Sequence, residues 1–378
     1  MMVNPPFVFG RVADRDNFID REAERSRLVS NFDALVNTII VSPRRWGKSS
    51  LVQRVAEDVQ LDRSRTRVCL VDLFSVRTEA GFYAALAKAV MKATMSRWDE
   101  WVDAAAKFLT QLRPKIVMSA DAFQEITLDV DWHQAELDPD EVLDLAERIA
   151  ESKKLRLVVC IDEFQAIAGF ADTDAFQRKL RSHWQQHQNV CYCLYGSKRH
   201  MLLDVFSSPE MPFYRFGDIM TLSKIDNAVW GDFIAARFAA TGKSVTPDLG
   251  RQIAALADNH SYYTQQLAQQ VWFRTDKSCQ PSTIESAWAD LTDQLGLVFT
   301  GLTDSLTTRQ LNYLRAVLDG RAAMSAQTTI RDYNLGTSAN VTRIREALVN
   351  REIVDTDGIT ILDPVFKHWL ASIYFIQP

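Results

Sequence analysis

Five short, nearly continuous apolar runs recur along the first part of the chain: 37–41 (NTIIV), 67–74 (RVCLVDLF), 155–161 (LRLVVCI), 189–195 (NVCYCLY) and 218–222 (DIMTL). Their hydrophobicity does not alternate as it does in a strand with one wet face, so both faces are covered. Helical patterns fall between them, and together they predict a parallel α/β sheet. The gap between the second and third runs is long. It predicts a helix over about 81–95, a tryptophan-rich helix over 98–112 and a hairpin within 115–132. The helix before the third run starts with Asp138 as cap, Pro139 in the first turn and Glu141 at the capping-box position.

After Ser223 the pattern turns helical, with apolar stripes over 228–242, 247–259 and 262–275. Three shorter helices follow at 305–320, 325–334 and 338–351. Residues 351–363 (REIVDTDGITILD) predict a two-stranded wing turning at Asp357-Gly358, a type I′ hairpin signal. Three helices and such a hairpin make a winged helix. The predicted domains are 1–223, a core; 224–300, helical; and 301–378, a winged helix.

The 378 residues (43.0 kDa) suffice for two or three domains with sizeable cores, and an apolar share of 47% with 24% charged is ordinary for a globular chain. A net charge of −5 argues against a protein that coats nucleic acid, though not against a small basic patch. No apolar stretch approaches the length that crosses a bilayer and the first residues lack a signal-peptide core, so the expected location is cytoplasmic, away from membranes. Four of the five cysteines (Cys69, Cys160, Cys191, Cys193) lie in predicted strands, while Cys279 sits in a polar loop, a usage that a reducing compartment permits. Cys191 and Cys193 share a strand face, but no second ligand pair follows at zinc spacing, so they read as core.

The chemistry is concentrated at the ends of the predicted strands. VSPRRWGKSSL follows the first strand and opens a helix, and its Gly47-Lys48-Ser49 end fits a P-loop. Residues Ser42, Pro43, Arg44, Arg45, Trp46, Gly47, Lys48, Ser49 and Ser50 would cradle the phosphates of ATP or ADP. Lys48 would reach the β/γ-phosphates, and the Ser49 hydroxyl would ligate Mg²⁺. Ser42 stands where the usual pattern has its first glycine. The third run ends in Asp162-Glu163, a Walker B arrangement in which Asp162 serves the Mg²⁺ shell and Glu163 is the base for the attacking water. Gly196-Ser197 ends the fourth run, where Ser197 would orient that water. His183 and His187, four apart on a helix, lack an evident third metal ligand and read as a solvated face. Trp98, Trp101 and Trp132 read as the core of the insertion.

With these motifs in place, the chain resembles the archaeal-type P-loop ATPases of the AAA+/STAND assemblage. The resemblance covers nearly the whole chain and rests on 18–28 (FIDREAERSRL), 42–51, 71–78 (VDLFSVRT), 160–167 (CIDEFQAI), 194–202, 213–222 (FYRFGDIMTL) and 361–370 (ILDPVFKHWL). It implies sheet order 5-1-4-3-2, a helical lid at 224–300, a winged helix, and ATP binding and hydrolysis. It further implies that Phe18, Ile19 and Arg21 lie near the adenine. Arg215 matches an arginine that approaches a γ-phosphate from the same or a neighbouring subunit; the other reading is a solvated arginine paired with Asp218. The lid usually carries Gly-x-Pro-Tyr-Tyr, whereas here the stretch is Asn259-His260-Ser261-Tyr262-Tyr263.

Two functions from different classes fit. One is a nucleotide-driven switch or motor that self-associates or engages a protein partner. The other is an ATP-regulated DNA-binding protein whose winged helix is the effector. Residues 301–378 carry eight basic and eight acidic side chains, and Glu346 adjoins Arg343 and Arg345 on the candidate recognition helix. DNA-docking modules draw most of their affinity from phosphate contacts and show a basic excess. The charge therefore favours the first reading.

Overall fold

The computed structural model describes residues 4–13, 17–62, 65–95 and 138–376. The expected helix at 98–112, the hairpin at 115–132 and the cluster of Trp98, Trp101 and Trp132 lie outside the described residues. Two compact units emerge. A sheet unit comprises Arg21–Arg44 and Lys48–Leu222, and a helical unit comprises Met1–Asp20, Arg45–Gly47 and Ser223–Pro378.

In the sheet unit the strands are β1 (Thr38–Val41), β2 (Thr66–Asp72), β3 (Arg156–Asp162), β4 (Val190–Gly196) and β5 (Asp218–Thr221). All neighbours are parallel and the order is β2-β3-β4-β1-β5, which read from β5 is the expected 5-1-4-3-2. Register brings the carboxyl ends together. Val41 lies beside both Gly196 and Thr221, and Asp162 lies beside Asp72. Every residue of β4 and of β1 is buried, which accounts for their largely apolar make-up, whereas the edge strands β2 and β5 are not covered on both faces and expose Leu70 and Ile219.

The helices of this unit are α1 (Glu22–Ala34), α2 (Lys48–Asp62), α3 (Glu79–Thr94), α4 (Pro139–Leu143), α5 (Leu145–Lys153), α6 (Thr173–Trp184) and α7 (Arg199–Ser207). An aromatic cluster that includes Phe82, Phe164, Phe176, Phe206 and Phe213 fills part of the core, and Trp184 stacks on Tyr192 at 4.0 Å and 13°. The helix expected before β3 is two helices, α4 and α5, meeting at Asp144; the Asp138 side chain caps the first by accepting from the Asp140 N–H at 2.9 Å.

Asp144 also overturns the reading of the histidine pair. Its carboxylate meets His183 Nδ1 at 2.7 Å and His187 Nε2 at 3.3 Å, while His187 Nδ1 lies 2.9 Å from the Tyr192 hydroxyl. The His187 side chain is 3% exposed, because it falls beyond the end of α6 on the turn that tucks back toward β4. The pair is thus not a solvated face. Among the described residues no cluster of three or more His, Cys, Asp or Glu side chains is placed to hold a metal ion. All five cysteines are free and buried, Cys279 included despite its polar surroundings in the sequence.

The helical unit consists of α8 (Asn227–Ala239), α9 (Pro247–Leu256), α10 (Ser261–Arg274), α11 (Pro281–Asp304), α12 (Thr308–Leu318), α13 (Gln327–Asp332), α14 (Ser338–Asn350) and α15 (Pro364–Trp369). One apolar core runs through it, from Ile253 and Leu267 through Trp288 and Phe299 to Leu314, Leu348 and Phe366. Where the sequence predicts a wing, the described residues form a single antiparallel bridge, Val354 with Ile361. Its turn is not type I′, which needs left-handed backbone at both central residues. Gly358 is left-handed (φ 78°), but Asp357 is not; its carboxylate accepts from the N–H groups of Ile359 and Thr360 at 2.9 Å each. Among the described residues no helix is long and apolar enough to cross a membrane.

Candidate nucleotide-binding site

β1 delivers the chain into a loop that ends where α2 begins, at Lys48. Lys48 is 6% exposed, and its ammonium folds back over the loop, donating to the carbonyl oxygens of Ser42 and Pro43, both at 2.8 Å, and to Ser42 Oγ at 3.3 Å. Those carbonyls hold the cation in place and are exchangeable for other oxygens. The first N–H groups of α2 have no intrahelical acceptor, an arrangement suited to an anion. Ser42 fits the place of the missing glycine because its backbone is not left-handed. The left-handed positions are Arg45 (φ 62°) and Gly47 (φ 93°), and at the latter a side chain would be strained.

Asp162 closes β3 on the same side of the sheet. Its Oδ2 accepts from the Ser49 hydroxyl at 2.7 Å, and its Oδ1 accepts from the Glu163 N–H at 2.8 Å. Burial holds the Asp162 carboxyl above its usual range, and the charges of Glu163 and Asp72 add to this, while the bonds from Ser49 and the Glu163 N–H oppose it. A hydroxyl and a carboxylate oxygen placed together form a donor set suited to a hard divalent cation such as Mg²⁺. Glu163 is left-handed (φ 54°), and its Oε2 accepts from Ser197 Oγ at 2.9 Å. The Gln165 amide donates to the same oxygen. Ser42, Lys48, Ser49, Asp162, Glu163 and Ser197 therefore converge at the carboxyl ends of β1, β3 and β4, where open parallel sheets bind ligands.

Arg45–Gly47 group with the helical unit. There the Arg45 guanidinium lies 4.5 Å from the centre of the Tyr262 ring, and Trp46 meets His260 edge to face at 6.5 Å. The departures from Gly-x-Pro-Tyr-Tyr are absorbed locally. Asn259 adopts the left-handed backbone (φ 54°) that a glycine would supply, and asparagine tolerates it better than most residues. Ser261 is the first residue of α10, the position where proline is favoured but not required. His260 is 6% exposed, and burial, with the Arg45 charge next in importance, pushes its pKa down to about 4.

The remaining expected residues are spread out. Ser50 lies in the first turn of α2. Ile19 packs with Trp230 in the helical unit, where Phe18 is half-buried. Arg21 is buried in the sheet unit and donates to Glu24 at 2.9 Å. The pairing of Arg215 with Asp218 is absent: Asp218 is taken by Arg27, at 2.9 and 2.5 Å, and by Asn31 at 2.9 Å. Arg215 is instead exposed, with its guanidinium 5.1 Å from the Tyr214 ring centre. Asp218 sits level with Thr38 at the start of β1, so Arg215 lies at the end of the sheet opposite Ser42 and Lys48. That separation is at least the length of β1, about 13 Å at the usual rise, and it removes Arg215 from the site on its own sheet.

Two residues of the site carry no legible role in the sequence. Asp72 is the more readable, as an acid ending an apolar strand. Gln165 is two residues from Glu163, a spacing that brings side chains together only through the tight turn over Phe164–Gly169.

Neither a protein-family model nor a curated protein sequence matches the chain. Solved structures do. The chain is similar to a Walker-type ATPase of Pyrococcus abyssi, at 18% identity and a TM-score of 0.67, over 97% of this chain and 99% of that one. It is similar to the ORC2 protein of Aeropyrum pernix in ADPNP and ADP complexes, at 14% identity and a TM-score of 0.56, over 92% and 91% of the two chains. The ORC1 protein of Aeropyrum pernix, solved with DNA, matches at 13% identity and a TM-score of 0.50, over 95% and 94%. The fold is the one these ATPase and origin-recognition structures share.

Proposed function

We propose that this chain binds ATP with Mg²⁺ and hydrolyses it, acting as a nucleotide-driven switch or motor. The observation that carries the reading is the 2.7 Å bond from Ser49 to Asp162, with Glu163 and Ser197 joined beside it at 2.9 Å. Residues Ser42 to Ser50 and the amino end of α2 receive the phosphates. Lys48 exchanges the Ser42 and Pro43 carbonyls for phosphate oxygens. Ser49 and Asp162 would hold Mg²⁺, which supplies charge neutralisation at the phosphates when bound. Glu163 accepts a proton from the attacking water, and Ser197 orients the carboxylate that does so. Phe18, Ile19 and Arg21 serve the adenine end.

Arg215 is exposed at the end of the sheet opposite its own site, which supports a role at the γ-phosphate of a neighbouring subunit and hence self-association. In this reading residues 224–300 act as a lid and 301–378 as a winged helix that packs or binds a protein partner. DNA is the weaker alternative: the module's charges balance, and Arg345 is engaged with the Thr356 carbonyl at 2.6 Å. Five free, buried cysteines are in keeping with the cytoplasm.

The test is a pair of variants. Glu163→Gln keeps nucleotide affinity and stops hydrolysis, whereas Lys48→Ala loses affinity, both read by calorimetry and phosphate release. Hydrolysis that survives Glu163→Gln at the parent rate overturns the assignment of the base.

A further inference from the structure

Glu163 has two donors on one oxygen, and only one of them belongs to a strand end. Ser197 Oγ reaches Oε2 at 2.9 Å, and the Gln165 side-chain amide reaches the same atom. Among the described residues Oε1 accepts no hydrogen bond. The carboxylate is thus gripped through one oxygen and open at the other.

Gln165 is an unusual residue to find there. It is 6% exposed, and its own amide oxygen is buried without a hydrogen-bond partner. A buried carbonyl with no donor weakens a fold, so what this amide contributes lies in its N–H. The amide fits only because β4 ends in glycine. A Cβ on Gly196 would stand 1.8 Å from Gln165 Oε1 and 2.9 Å from the amide carbon. The strand that carries Ser197 therefore leaves a side-chain-sized opening directly before it, and Gln165 fills it.

We propose that Gln165 is a positioning residue, admitted by Gly196, that locks the Glu163 carboxylate so that its free oxygen is presented to the attacking water. The proposal rests on Glu163 being the base, as inferred above. A glutamate otherwise samples several rotamers, and each misplaced one is unproductive. Gln165 and Ser197 remove that freedom in advance. Neither changes the number of groups that hold nucleotide, so the grip on Glu163 acts on turnover and not on binding.

Four variants test this in the full chain: Gln165→Met, Gln165→Ala, Gly196→Ala, and the last two combined. Methionine fills the same space without a donor. Gln165→Met lowers kcat roughly 10- to 10²-fold, the scale for a misplaced catalytic group. KM, and the Kd of a fluorescent ATP analogue, stay at the parent values. Gly196→Ala also lowers kcat, by expelling the amide. Once Gln165→Ala has emptied the opening, the cost of Gly196→Ala in kcat and in the urea midpoint shrinks to what the remaining 3.3 Å approach to the Glu163 Cα leaves, a non-additivity that marks the shared contact. The proposal fails if Gln165→Met turns over like the parent, if the loss appears in Kd, or if Gly196→Ala costs the same with and without Gln165. Glu163→Gln in parallel separates the two ideas. If it hydrolyses normally, the base assignment is wrong; if it is dead while Gln165→Met is fully active, only the positioning role is wrong.

Discussion

His260 offers a measurement whose size follows from its surroundings. Its pKa falls from the ordinary 6.5 to about 4, first through burial, then through the nearby charge of Arg45, with Lys224 adding to the effect and Asp258 opposing it. Nδ1 has no partner, and the ring packs against Trp46 and Tyr263. The folded state therefore resists the proton that the unfolded chain accepts. Stability contributed by the neutral ring is complete above about pH 6.5 and is lost as pH falls toward the folded value. At 1.36 kcal/mol per unit, a depression of about 2.5 units amounts to about 3 kcal/mol by pH 4. Replacing the ring by phenylalanine keeps its volume and its edge contacts, removes the titration and removes the unpartnered nitrogen. Urea unfolding of parent and His260→Phe at pH 7, 6, 5 and 4.5 should give curves that diverge steadily below pH 6.5. The variant should lose less stability by up to about 1.4 kcal/mol for each unit. Carboxylates also titrate at the lower end, but they do so in both proteins and cancel in the difference. Parallel pH profiles for the two proteins would refute the buried, neutral histidine.

Lys48→Ala should abolish ATP binding by calorimetry, since it deletes the cation that the Ser42 and Pro43 carbonyls hold at the loop; affinity equal to the parent would remove the loop from the nucleotide site. Arg215→Ala should lower turnover by up to roughly 10³–10⁵ where subunits associate, the range for arginines supplied to phosphoryl transfer, and should do nothing in dilute monomer, so equal rates at every protein concentration would make Arg215 structural. Duplex DNA should bind weakly, with a shallow dependence on salt of roughly −0.9 in log–log slope for each phosphate contact. Arg343→Ala should remove about one such contact, whereas tight binding at physiological salt with a steep slope, lost in Arg343→Ala, would promote the DNA-binding alternative.

The sequence alone determined the parts of this protein that depend on local pattern. Continuous apolar runs reveal the doubly covered β1 and β4, whose positions are all buried, whereas β2 and β5 look alike in sequence but lie at the sheet edges and expose Leu70 and Ile219. Strand-end motifs such as Gly47-Lys48-Ser49 and Asp162-Glu163 are contiguous, so spacing along the chain carries their geometry. What needed the tertiary structure is whatever depends on residues distant in sequence or on a particular backbone twist. His187 reads as a solvated position until the turn after α6 carries it to Asp144 and Tyr192. Asp357-Gly358 looks like a type I′ turn until the Asp357 carboxylate is found taking the Ile359 and Thr360 N–H groups. Arg215 is three residues from Asp218, yet Arg27 and Asn31 arrive from α1 to take that partner, and the parallel register then fixes Arg215 at the far end of the sheet. Gln165 gains its meaning only where a tight turn and the bare face of Gly196, more than thirty residues later, leave a space of the right size. Short-range chemistry is written in the order of residues; the partner of a buried polar group is chosen by which strands and helices become neighbours.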